Sequence, residues 1–85
     1  MNKQTTKAYS WIVRGTQRKA IILVLTKPKT PKEISEETKL KFSNVSDVLR
    51  AMQEKGLVRC LNPEERMGRL YSLTKKGQAL LKEFS

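Results

Sequence analysis

The chain has 85 residues, room for one domain that buries about 60–65% of its unfolded surface and leaves nothing for a second core. Its 18 Lys and Arg against 8 Asp and Glu give a formal net charge of +10, a potential that favours a polyanion, of which nucleic acid is the commonest. A lone cysteine, Cys60, forbids an intrachain disulfide, and the lack of histidine removes the usual zinc-ligand sets and histidine bases, so metal-dependent and acid–base catalysis are not expected.

Charge alone does not separate DNA from RNA or anionic lipid, but its distribution is informative. Residues 1–29 carry seven basic residues and no acid, residues 30–56 balance five against five, and the remainder set six against three. The positive field therefore comes from the flanks of a nearly neutral middle, which suits backbone clamping around a more discriminating element. The longest apolar run, Ala20 to Leu25, is six residues, far short of the roughly 18 needed to cross a bilayer. The polar start does not resemble a secretory signal, so a soluble, cytoplasmic protein without a membrane contact is expected. No phosphate-cradling glycine loop, paired carboxylates or activated nucleophile stands at a workable spacing, which argues against an enzyme and against a cofactor.

Along the chain, Met1 to Ser10 is polar, basic and without apolar periodicity. It reads as a mobile arm that orders on a polyanion or, equally, as a solvating tail. Tyr9, Trp11, Ile12 and Val13 are too apolar to stay in water and are expected to pack on the domain or on a second subunit. The division expected is an arm with an apolar segment over 1–15 and a folded domain over 16–85. Thr16 is a candidate N-cap for a first helix, whose Ala20, Ile21, Val24 and Leu25 form one face while Ile22 and Leu23 extend it around the cylinder. Such a helix needs cover on more than one side, either from a partner chain, the preferred explanation, or from the 9–13 segment.

Lys27-Pro28-Lys29 ends that helix. Thr30-Pro31-Lys32-Glu33 then spells a helix start, with threonine as N-cap, proline first and glutamate three after the cap, and predicts a short helix over Pro31–Thr38 with Ile34 inward. Lys39 to Phe42 is the turn. Ser43 is the expected N-cap of a third helix from Asn44 to about Lys55, with Phe42 before the cap as a hydrophobic staple. Val45, Val48, Leu49 and Met52 form its inward stripe, and Gly56 ends it in a left-handed conformation with Leu57 packed back.

Opposite that stripe lie Ser43, Asp47, Arg50 and Glu54, flanked by Asn44 and Ala51 on one side and by Ser46 and Gln53 on the other. A helix-turn-helix reads the major groove with the N-terminal half of its second helix, so Ser43, Asn44, Ser46, Asp47 and Arg50 are the base-contact candidates. Arg50 suits guanine, Asn44 adenine; Asp47 either accepts from cytosine or, the favoured reading, holds Arg50 three residues away. A merely solvated polar face is the plainer alternative. Leu57 to Leu61 and Leu70 to Thr74 are short β-type runs around a loop with Asn62-Pro63 and Gly68, giving a two-stranded wing whose Arg66 and Arg69 suit a minor groove or phosphates. Glu64 and Glu65 weaken that case. Cys60, among Leu57, Val58 and Leu61, reads as a buried structural thiol rather than a redox group. Thr74 caps a last helix whose Leu80, Leu81 and Phe84 form an apolar face.

The runs TPKEISEETKLKFSNVSDVLRAMQEKGLVRCL and GRLYSLTKKGQALL resemble the winged helix-turn-helix domains of prokaryotic transcriptional regulators of the MarR and ArsR type. The likeness covers roughly residues 16 to 84, and its most specific marks are Glu54-Lys55-Gly56-Leu57-Val58 and Leu73-Thr74-Lys75-Lys76-Gly77. It implies an α+β, mostly helical fold with three helices, a two-stranded wing and a C-terminal helix. It implies sequence-specific binding of double-stranded DNA, usually as a homodimer, with helix 43–55 in the major groove and wing 62–69 on backbone or minor groove. Thr30 and Lys32, with Lys39 and Lys41 in the turn, then fall at phosphate contacts, and Arg66 and Arg69 on the wing. The dimer contacts expected are Trp11, Ile12, Ile22, Leu80, Leu81 and Phe84. The chain lacks the long dimerisation helices and effector pocket of the larger MarR proteins and the ArsR metal ligands, so neither drug nor metal sensing is expected. A winged-helix docking module for another protein, or an RNA-binding one, are the alternative readings.

Overall fold

The computed structural model describes residues 3–84, which form five helices and one two-stranded sheet. In chain order they are α1 (Lys3–Val13), α2 (Thr16–Val24), α3 (Pro31–Thr38), α4 (Phe42–Glu54), β1 (Val58–Cys60), β2 (Tyr71–Leu73) and α5 (Lys75–Lys82). The helix-turn-helix, wing and closing helix agree with expectation; α1 does not. Of the stretch read as an arm or tail, Met1 and Asn2 lie outside the described residues and the rest is helical, continuous with the apolar segment; α1 packs on α2 and α5 with Ala8 and Ile12 buried, and for Ile12 the domain is one of the two places expected. Among its described side chains those two, one turn apart, are the buried ones, too sparse a signal for periodicity to reveal.

This helix also explains the nearly all-apolar α2. Ile21 and Ile22 have no exposed surface and Leu25 has 2%, because α1 covers one side of α2 while α3, α4 and α5 cover others. Cover from a partner chain is therefore not what this helix requires. Ile12, Ile22 and Leu80, expected at a dimer contact, are each at 0% exposure within the single chain and have no surface left to offer a second one. Gly15, not Thr16, is the N-cap of α2 and makes no side-chain cap bond; Thr16 is the first helical residue.

Thr30 and Glu33 build the expected capping box. The Thr30 hydroxyl oxygen accepts from the Glu33 N–H at 3.2 Å, and the Glu33 carboxylate accepts from the Thr30 N–H at 2.9 Å. That second bond, with the hydroxyl contact, holds the fully exposed Glu33 carboxyl below its ordinary pKa. α3 then ends on Lys39, the one non-glycine residue with positive φ among those described, at 63°. The tight turn is stitched by Ser35 Oγ donating to the Leu40 carbonyl at 2.6 Å and the Lys39 N–H donating to the Ser35 carbonyl at 2.8 Å.

The following helix starts earlier than expected. Lys41 is its N-cap, without a side-chain bond, and its carbonyl accepts from the Val45 N–H at 3.0 Å. Ser43 thus lies inside the first turn rather than capping it, and Phe42 is the first helical residue rather than a staple before it. At the far end Gly56 takes φ 75° while its N–H bonds the Gln53 carbonyl and the Leu57 N–H bonds the Met52 carbonyl, a Schellman closure that buries Leu57.

β1 and β2 pair antiparallel in the register Val58↔Leu73, Arg59↔Ser72, Cys60↔Tyr71. The linker after α2 joins them: Lys29 and Tyr71 exchange N–H···O bonds of 3.0 and 2.9 Å. Lys29, only 6% exposed, sends its ammonium to the Glu37 carboxylate at 2.6 Å. The start of the helix-turn-helix is thereby tied to the wing, a connection that a Lys-Pro-Lys linker does not announce. Cys60 is half-buried rather than buried, its thiol 3.6 Å from Asn62 Oδ1.

Candidate nucleic-acid interface

Between α4, the start of α3 and the wing lies a cleft of ≈ 570 Å³. Its α4 wall is formed by Phe42, Ser46, Leu49, Arg50 and Gln53, the spacing of one helical edge, and the opposite wall by residues 66–69. Thr30, Pro31 and Lys32 at the start of α3 and Tyr71 on β2 also line it. Lys32, Arg50, Arg66 and Arg69 bring four cations to this surface, and no carboxylate lines it. Such a concave basic surface between helix and hairpin has the charge and shape to take a polyanion backbone.

Of the residues singled out in the sequence, Ser46, Arg50, Thr30, Lys32, Arg66 and Arg69 meet at the cleft. Ser43 and Asp47 are exposed on the adjoining edge of α4, and Asn44 is half-buried there. Lys39 and Lys41 are exposed in the turn, away from the cleft lining. The expected Asp47–Arg50 pairing is not made: the salt bridge found among the described residues is Lys29–Glu37. Arg50 is thus left with an open guanidinium, which three-residue spacing on a helix permits but does not enforce.

The two wing arginines play different parts. Arg69 donates from Nε to the Glu65 carbonyl at 2.6 Å and from Nη2 to the Pro63 carbonyl at 3.2 Å, so much of its fork braces the wing loop. Asn62 ties the same loop, accepting from the Leu70 N–H at 2.7 Å and donating to the Gly68 carbonyl at 3.2 Å. Gly68, at φ 69°, makes the bend beside them. Arg66, exposed beside Met67, makes no such bond to the loop. Sequence reasoning missed Phe42 and Met67 as cleft residues and placed Gln53 only on a flank. The i, i+4, i+8 progression from Phe42 through Ser46 to Arg50 was the available signal, hidden by the expectation of a cap at Ser43.

The remaining expected dimer residues are engaged within the chain. The Trp11 ring carries the Arg18 guanidinium 4.3 Å and the Lys55 ammonium 5.0 Å from its centroid, and Arg18 also bonds the Trp11 carbonyl at 2.7 Å. Phe84 stacks on Tyr9 with centroids 5.0 Å apart, and Leu81 is half-buried against the core. Among the described residues no helix is long and apolar enough to cross a membrane, and no group of three His, Cys, Asp or Glu side chains converges as a metal site.

A cationic cleft between the second helix of a helix-turn-helix and a β-wing defines a winged-helix module, and the family model described as winged helix-turn-helix matches residues 19–85. The chain belongs to that family. Among solved structures it is similar to YodB from B. subtilis, treated with diamide, at 29% identity and a TM-score of 0.80 over 99% of this chain and 85% of that one. It is similar also to NMB1585, a MarR family regulator from Neisseria meningitidis, at 27% identity and a TM-score of 0.75, covering 93% of this chain and 60% of that one. ZitR from Lactococcus lactis, a C30AH42A mutant, matches at 29% identity and a TM-score of 0.71, with 82% and 49% covered. The chain therefore spans most of YodB but only half to three-fifths of the other two. No curated protein matches it in sequence at a significant level.

Proposed function

We propose that the protein is a transcriptional regulator that binds double-stranded DNA in a sequence-specific manner, with α4 in the major groove and the wing on the backbone or minor groove. The observation that carries this reading is the acid-free cleft that sets Arg50 on α4 opposite Arg66 and Arg69 on the wing. Arg50 and Ser46 read base edges, joined by Ser43, Asn44 and Asp47 on the adjoining edge, while Thr30, Lys32, Lys39 and Lys41 hold phosphates. The family membership and the likeness to a MarR family regulator support the same reading.

The protein acts as a homodimer in the cytoplasm, so that two copies of α4 address a two-fold site. Exposed Val13 and Leu23, with the partly covered Trp11, Leu81 and Phe84, supply the apolar surface left for that contact. Selection of binding sites from random duplex DNA by the full chain, with oligomer mass measured by light scattering, tests the reading. A recurring half-site and a log K against log salt slope near −5, for about six phosphate contacts, are expected. Equal affinity for every duplex, or stronger competition by duplex RNA, overturns it.

A further inference from the structure

Among the described residues five large apolar side chains are exposed, and two of them, Phe42 at 55% and Met67 at 87%, line the cationic cleft. Phe42 is the more informative because the fold has no use for its exposure. The inward residues of α4 are Val45, Leu49 and Met52, and the helix is begun by the Lys41 carbonyl rather than by any contact of the ring. A phenyl group is thus held in water in the first turn of the helix, directly ahead of Ser46 and Arg50 on one edge.

That first turn is the part of a recognition helix that enters the major groove deepest. Of the four bases, thymine alone carries an apolar group on its major-groove edge, the C5-methyl, and a phenyl ring is among the side chains that meet it. Ser46, Arg50 and Gln53 form hydrogen bonds and have no means to select a methyl group. We propose that Phe42 is a specificity-determining residue that packs on the C5-methyl of one thymine in each half-site. This rests on the reading of the cleft as a duplex-DNA surface. The ring loses its water contact when the methyl covers it, so the complex gains apolar burial that neither cytosine nor a demethylated thymine provides.

The test replaces each thymine of a selected site, singly, by deoxyuridine, which removes the methyl and leaves every hydrogen-bonding group. The wild-type full chain is expected to lose about three- to fivefold in affinity at one thymine per half-site, the burial of one methyl. Phe42→Ala should bind the thymine site as weakly as wild type binds the deoxyuridine site, with no further loss when both changes are combined. Phe42→Leu, which keeps an apolar contact, should retain part of the methyl sensitivity, and both variants should match the wild-type thermal midpoint because Phe42 lies outside the core. Indifference of the wild-type chain to every deoxyuridine overturns the proposal, as does an equal methyl effect in wild type and Phe42→Ala. Those results leave selective duplex binding intact; absence of any selected site is a different result, and it removes the DNA reading and this proposal together.

Discussion

Gly77 in α5 lies directly against the backbone of Leu57: a Cβ at residue 77 would collide with the Leu57 carbonyl oxygen and touch its carbonyl carbon at 3.1 Å. That same carbonyl accepts from the Thr74 N–H at 3.0 Å, and the Thr74 hydroxyl donates to the Gly56 carbonyl at 2.6 Å while accepting from the Gly77 N–H at 3.2 Å. The end of the recognition helix and the start of the closing helix are thus one interlocked joint. Gly77→Ala must push α5 away from the Leu57 backbone and is expected to destabilise the fold by about 1–3 kcal/mol. Urea unfolding should show a lower midpoint with an unchanged slope, and an unaltered midpoint would refute the close approach.

Arg50 on α4 and Arg66 on the wing line the same cleft but should fail differently when truncated. Arg50→Ala is expected to relax discrimination at one base position by roughly 1–3 kcal/mol, whereas Arg66→Ala should weaken all sequences alike and reduce the salt slope by about one. Competition titrations against a panel of single-base variants separate these outcomes. Uniform weakening by Arg50→Ala would remove its reading role.

Much of this architecture was legible in the sequence, and the reasons for the rest are local. Thr30-Pro31-Lys32-Glu33 and Lys55-Gly56-Leu57 encode their structures in adjacent residues, so caps and turn chemistry suffice to place α3 and the end of α4. α1 is different, since Ala8 and Ile12 gain their inward role only from α2 and α5, which lie elsewhere in the chain. The cleft was half legible for the same reason. Arg50 and Arg66 were identified separately from helix phase and wing position, but the position of Phe42 depended on whether the helix began at residue 42 or 44. Backbone carbonyls decide that start, and the serine at 43 points to the wrong one.

The Glu33 carboxylate gives the fold a small acid-side pH dependence. Its pKa is lower in the folded chain because the Thr30 N–H and hydroxyl favour the charged form. The sign follows from proton uptake: the unfolded chain binds the proton more readily, so the contribution is fully present above the unfolded glutamate pKa of about 4.3 and is lost as pH falls through the lower folded value. Thermal midpoints of wild type and Glu33→Gln should therefore differ most near neutral pH and converge in acid. A constant difference across the titration would show that the capping box does not discriminate the charged form.

Lys29 is nearly buried and depends on Glu37, whose side chain is 45% exposed. Glu37→Ala strands the nearly buried ammonium and should cost about 1–2 kcal/mol, less than a fully buried pair because solvent reaches the carboxylate side. The double variant Lys29→Met, Glu37→Ala removes the stranded charge and should recover part of that loss. Chemical denaturation of the two single variants and the double variant measures the coupling; strict additivity would mean that the 2.6 Å pair contributes nothing.

Lys39 combines a strained backbone with a charge that the proposed function uses, and the two are separable. At φ 63° it stands where an L residue pays for contact between Cβ and its own carbonyl, and glycine does not. Lys39→Gly should stabilise the fold by about 0.5–1 kcal/mol, the strain relieved less the entropy that glycine loses on folding. The same change removes a cation from the turn before α4, so duplex binding should weaken uniformly across sequences while thermal stability rises. Lys39→Asn, which tolerates the left-handed region better than lysine and also lacks the charge, should move both quantities in the same directions. A rise in stability with unchanged affinity and salt slope would place Lys39 outside the phosphate contacts and leave Thr30 and Lys32 to hold the backbone at that side of the cleft.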